Sequence, residues 1–245
     1  MYEIKCGEVW GGVRGTDVDA ITSGIEACLF CSVCDGGKGG DIYYFSVCEN
    51  DLLTRIAIAD VMGHGKAVSD TSEWLYNSLR DRMNTLDGNE VLSDLNRLAV
   101  QHGYKALTTA AVATVSRETS DLFFSYAGHH PLLIRHKASG EWTSLELPKS
   151  TQAANLPLGV DEAHPYEQSK YALRPGDLIF LYTDGVIEAP NPAGEFFDEE
   201  RLMAALRSSG GDPRELRIAV QEALNRHVVG DLAHDDVTFM AITVR

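Results

Sequence analysis

Long apolar runs are missing from this chain of 245 residues. Nothing approaches the ~20 consecutive apolar residues that span a bilayer. The opening MYEIKCGEVW has no basic patch followed by an apolar stretch, so no membrane anchor or secretion signal is expected, and the cytoplasm is the expected compartment. Basic residues are scarce: 21 Lys and Arg stand against 36 Asp and Glu, for a formal net charge of −15. That balance repels nucleic acid and anionic lipid at long range, and no local basic cluster offsets it, so neither is expected as a partner. A P-loop is also missing, because in GHGK no glycine stands five residues before Gly65 and Lys66 is followed by alanine.

Cysteine is sparse too, with five in the chain. The spacing of Cys28, Cys31 and Cys34 resembles metal ligation, but no fourth ligand lies nearby, and IEACLFCSV reads as a buried strand. Alternation in a strand turns Cys31 away from the face shared by Cys28 and Cys34, so the three are expected to be small core residues in a reducing compartment.

What is present is an ordinary globular composition, 44% hydrophobic and 23% charged, with enough apolar surface for a core and no composition shift that marks a linker. One domain over 1–245 is the expectation. Residues 7–33 read as two apolar stretches joined by a polar Gly/Thr/Asp loop, followed by the glycine loop DGGKGGD. DIYYFSVC and LLTRIAIAD read as a hairpin turning at Glu49, Asn50 and Asp51. A helix is predicted over 66–84 from Val68, Leu75, Leu79 and Met83 with Trp74 beside them, and a second from Asn89 to about Gly103. Strands follow at TTAAVATVS, DLFFSYA, PLLIRH and DLIFLYT. Asp198 is the expected N-cap of one further helix, Asp212 with Pro213 opens another, and DVTFMAITV is the closing strand. Segregated blocks of strands and helices indicate an α+β layered fold.

Four aspartates share one local setting, at a strand end beside glycine or another aspartate: Asp41 in GGD, Asp60 in IADVMGHG, Asp184 in LYTDGV and Asp235 in AHDDVTF. Any one alone reads as a turn former. Brought together, such carboxylates repel one another unless cations intervene, and an all-oxygen donor set selects hard ions such as Mg²⁺ or Mn²⁺.

The ordered segments GGDIYY, IADVMGHG, SYAGHHPLLIR, LRPGDLIFLYTDGVIEA and HDDVTFMAITV resemble the signatures of SpoIIE-like bacterial serine/threonine phosphatases of the PPM superfamily, the type 2C protein phosphatases. The resemblance runs from about residue 39 to 244 and leaves 1–35 as divergent N-terminal strands. It implies a four-layer α-β-β-α sandwich of two antiparallel sheets flanked by helices. Its implied metal ligands are Asp41, Asp60 bridging two Mn²⁺ or Mg²⁺ ions, the Val61 backbone carbonyl, Asp184 and Asp235, with Asp236 as an additional position in the DD pair. The implied reaction is hydrolysis of phosphoserine or phosphothreonine by a metal-activated water without a phosphoenzyme, and the absence of a Cys-x5-Arg segment agrees with that choice. The implied substrate is a bacterial regulatory protein of the anti-sigma antagonist type, with control by a separate regulatory protein or a homodimer acting through the helices after Asp60. A catalytically silent phosphoprotein-binding module is the alternative.

Several residues depart from the family pattern. Met62 stands where the eukaryotic branch has a histidine; His64 is the nearest substitute and is expected to stabilise the turn, with a general-acid role as the alternative. His129 and His234 are expected to make structural hydrogen bonds. No phosphate-binding arginine can be matched; Lys38 lies near Asp41, either within reach of substrate or as a solvated loop charge. Tyr44 replaces a second aspartate. The stretch before Gly36 lacks the helix that commonly precedes the domain.

Overall fold

The computed structural model describes residues 1–34, 36–63, 65–83, 85–148 and 155–245. Two sheets face each other. The first runs in the order β1 (Tyr2–Glu3), β3 (Thr16–Ile21), β4 (Ile25–Ser32), β13 (Val237–Val244), β12 (Leu178–Tyr182), β9 (Leu133–Arg135) and β10 (Trp142–Ser144). The second runs in the order β11 (Gln168–Ala172), β8 (Asp121–Ala127), β7 (Thr108–Ser116), β6 (Leu53–Val61), β5 (Lys38–Cys48) and β2 (Val9–Arg14). Helices α1 (Ser69–Arg80) and α2 (Gly88–His102) cover the second sheet, while α4 (Asp198–Ser208) and α5 (Pro213–Val228) lie on the first. This is the expected four-layer sandwich. One pairing departs from strict antiparallel order, since β1 runs parallel to β3.

Strand alternation sorts the side chains between layers. Along β5 and β6, Tyr43, Phe45, Val47, Ile56 and Ile58 face the opposite sheet, whereas Ile42, Tyr44, Ala57 and Ala59 face α1 and α2. Each large aliphatic or aromatic side chain buried this way contributes about 1.5–3 kcal/mol, and both faces of these central strands are covered, which explains their nearly unbroken apolar sequence. The hairpin turn falls at Glu49, Asn50 and Asp51, all three with left-handed backbone. The α1 stripe is buried as expected, at Val68, Leu75, Leu79 and Met83. The helix itself is shorter than 66–84, because Gly65–Ala67 forms a 3-10 turn before it.

Four sequence expectations need correction. The polar segment after Gly15 is a strand rather than a loop: β3 pairs along β4, with Asp17 and Asp19 turned to Arg214 and Arg217 of α5. Interaction with arginines from another layer replaces the apolar signal by which a strand is read. The glycine loop is shorter than it reads, since β5 already begins at Lys38. Lys38 is not a solvated loop charge either; its ammonium lies 2.5 Å from the Glu73 carboxylate on α1. Cys28 and Cys31 are buried on opposite faces of β4, Cys31 within the inter-sheet core and Cys28 beside Asp19, and both are free thiols. Asp212 caps α5 as expected, its carboxylate accepting from Arg214 N at 2.7 Å, whereas α4 begins one residue earlier than expected: Phe197 is its N-cap, and Asp198 is its first residue, its carboxylate accepting from Arg201 N at 3.0 Å.

Candidate metal centre

The inner faces of β5 and β6 end in carboxylates. Asp41 and Asp60 are directly opposite one another in the β5/β6 ladder, and alternation puts both on the face that carries Tyr43 and Ile58 farther in. From the other sheet, Asp184 opens the single-turn helix α3 (Asp184–Ile187) just after β12, while Asp235 and Asp236 precede β13. The four candidate aspartates thus come from both sheets to one end of the sandwich.

Thr183, absent from the sequence reading, bridges the sheets: its hydroxyl donates to Asp41 Oδ2 at 2.9 Å, and both residues are buried. Asp236 has a distinct job. Its Oδ1 accepts from Cys34 N at 2.9 Å and its Oδ2 from Gly40 N at 2.5 Å, so it fastens the approach to β5 onto the start of β13. The glycines around it are required by contact. A Cβ on Gly39 would stand 2.3 Å from Asp236 Oδ2, and one on Gly185 would stand 1.9 Å from the Asp236 carbonyl oxygen. The Val61 carbonyl oxygen lies at the same place, 2.8 Å from where a Gly40 Cβ would be. His234 Nε2 donates to the Gly185 carbonyl at 2.9 Å, steadying the turn after Asp184. His64 lies outside the described residues.

Asp60, Asp184 and Asp235 line a cleft of about 320 Å³. Met62, Leu107, Pro157 and Val160 form an apolar wall of the same cleft, beside Thr108 and Thr109. Among the described lining residues there is no lysine, arginine or histidine. Lys38 is engaged by Glu73, and His129 is buried elsewhere with its Nδ1 2.9 Å from the His130 carbonyl oxygen. Burial pushes His129 down to about 4, so its ring is neutral and donates that bond.

The electrostatics are those of a cation site. Burial pushes the Asp41 carboxyl up to about 8, and the charges of Asp236 and Asp184 add to the rise. Desolvation likewise raises Asp60 well above the ordinary carboxylate range, reinforced by Asp41, Asp184, Asp235 and Asp236. Among the described residues no three His, Cys, Asp or Glu side chains form a ready-made ligand cluster. An all-oxygen donor set suits hard divalent ions, whose charge would offset the repulsion among these carboxylates.

The architecture belongs with a known group. A family model described as Stage II sporulation protein E (SpoIIE) matches residues 50–245. The chain belongs to the SpoIIE family, a branch of the PPM serine/threonine phosphatases. Among curated relatives, it is 29% identical over 146 residues to protein IcfG of Synechocystis sp., covering 59% of this chain and 22% of IcfG. It is 27% identical over 157 residues to the phosphoserine phosphatase RsbU of Bacillus subtilis, covering 63% of this chain and 44% of RsbU. The chain therefore spans less than half the length of either relative.

Solved structures share the fold. The RsbU and RsbW domains of Rv1364c from Mycobacterium tuberculosis superpose with a TM-score of 0.75 at 22% identity, over 95% of this chain and 63% of that one. The PP2C phosphatase domain of Bacillus subtilis SpoIIE, with a fragment of its regulatory domain, gives 0.71 at 19% identity over 98% and 64%. RsbX in complex with magnesium gives 0.68 at 16% identity over 94% and 100%. Among the described residues no helix is long and apolar enough to cross a membrane.

Proposed function

We propose that residues 1–245 act as one cytoplasmic phosphatase domain that hydrolyses phosphoserine or phosphothreonine on a regulatory protein of the anti-sigma antagonist type, using two Mn²⁺ or Mg²⁺ ions. The observation that carries the reading is the convergence of Asp60, Asp184 and Asp235 at one cleft whose described lining has no cationic side chain, with Asp41 buried opposite Asp60 in the β5/β6 ladder. A phosphate monoester cannot approach three uncompensated carboxylates, so cations must stand between them. Asp41, Asp60, Asp184, Asp235 and the Val61 carbonyl are the groups that would hold those ions. When bound, the ions acidify a water nucleophile and screen the phosphate oxygens.

The chain's own residues prepare the site. Thr183 orients Asp41, and Asp236 holds the β5 approach in place through two backbone amides. His234 fixes the Asp184 turn. Support for the substrate class comes from RsbU, whose name is phosphoserine phosphatase, and support for the metal from the magnesium complex of RsbX.

The test is hydrolysis of p-nitrophenyl phosphate and of a phosphoserine peptide with Mn²⁺, Mg²⁺ or EDTA. Turnover that requires the metal is expected. A well-folded preparation that binds the phosphopeptide but hydrolyses neither compound would instead establish a silent binding module.

A further inference from the structure

We infer that the apolar wall of the cleft reads the residue beside the phosphorylated one in a protein substrate, with Met62 and Val160 setting a preference for an apolar side chain there. The inference rests on the phosphatase reading above and concerns which segments that site accepts.

Met62 and Val160 are 52% and 51% exposed, unusual for large apolar side chains in a chain that buries most of its own. They share one cleft with Asp60, Asp184 and Asp235. Exposed apolar residues on loose loops would mean little, but both of these sit on fixed backbone. Met62 N donates to the Leu107 carbonyl at 2.8 Å. The chain on either side of Val160 is clamped by the fully buried Asn96 of α2, whose Oδ1 accepts from Gly159 N at 2.9 Å and whose amide donates to the Asp161 carbonyl at 2.7 Å. Reciprocal backbone bonds between Thr108 and Leu158, at 2.8 and 3.2 Å, tie the same segment to the start of β7. The wall is therefore pre-organised, and binding against it orders little that is not already ordered.

The occupant follows from position. A scissile phosphate has to reach the carboxylate side, so the residues flanking it in the substrate lie across Met62 and Val160. At about 320 Å³ the cleft has the size of a small ligand site rather than of a phosphate alone. Apart from the carboxylates, the described lining carries no charge and only the Thr108 and Thr109 hydroxyls as polar side-chain groups, so a polar flanking side chain regains little of its hydration there, whereas an apolar one gains by burial.

The experiment uses wild type with Mn²⁺, p-nitrophenyl phosphate, and phosphoserine peptide pairs that differ only in Leu or Ser at one flanking position, one pair for each side. The expected result is a kcat/KM for the Leu peptide about tenfold above that for the Ser peptide on one side. Met62→Ser and Val160→Ser are each expected to narrow the ratio to about twofold, while Val160→Leu keeps it. Equal rates for Leu and Ser peptides, or a ratio that the serine variants leave intact, overturn the inference while p-nitrophenyl phosphate turnover preserves the phosphatase reading. Failure of wild type on p-nitrophenyl phosphate and on every peptide overturns both.

Discussion

The space between the two sheets has two regions made from the same strands. Deep inside, β5 and β6 present Phe45, Ile56 and Ile58, none more than 1% exposed, packed against Leu29, Ile179 and Met240 of the other sheet. A few residues farther along the same faces stand Asp41 and Asp60, under mutual repulsion and short of water. The apolar region supplies stability and has no chemistry. The acidic region opposes folding and carries the proposed chemistry, so it persists because the neighbouring core holds its frame.

The largest expected effect breaks the acidic region alone. Asp60→Asn or Asp184→Asn should reduce phosphatase turnover to assay background while leaving circular dichroism unchanged. Thermal stability without metal should stay level or rise, because one of several like charges is gone. Near-normal turnover in both variants would remove these residues from the centre.

The converse change is Phe45→Ala, which empties space beside Trp10, its ring neighbour at 5.7 Å. A loss of about 3–5 kcal/mol is expected in chemical denaturation, with activity per folded molecule retained. A variant that stays as stable as wild type would show that this part of the core is not the frame we take it to be.

The smallest effect is on pH dependence and sharpens the contrast. The Asp41 carboxyl titrates at about 8 when folded, against an ordinary value of 3.8. Between those values the folded protein holds a proton that the unfolded chain has released. Metal-free stability should therefore fall as pH rises through this window and level off above it. Melting temperature in EDTA should be lower at about pH 8 than at about pH 5, and Mn²⁺ should reverse the trend by replacing the proton. An Asp41→Asn variant should lose most of the slope, and an unchanged slope would assign the effect elsewhere.

Much of this was legible in the chain. The strands TTAAVATVS and DLFFSYA coincide with β7 and β8, because central strands covered on both faces leave dense β-branched and aromatic runs. The four aspartates were picked out by their strand-end settings beside glycine or another aspartate. The missing information was relational. Strand β3 escaped notice because its polar residues bond to arginines far away in sequence, and β10 and β11 are short edge strands without a clear alternating pattern. The division of labour within the DD pair, and the Thr183 bridge to Asp41, depend on contacts across the two sheets. A threonine beside TDG was the available signal for the second.

The Glu49–Asp51 hairpin works as a ruler for the catalytic end. Pairing counts outward from Cys48 and Leu53 without a slip to Asp41 and Asp60. Parity alone keeps those two carboxylates on a common side. One residue added to β5 between Asp41 and Phe45 leaves two outcomes: the extra residue is expelled as a bulge, or Asp41 rotates to the side of Ile42 and Tyr44, beneath the α1 layer and out of reach of its partner.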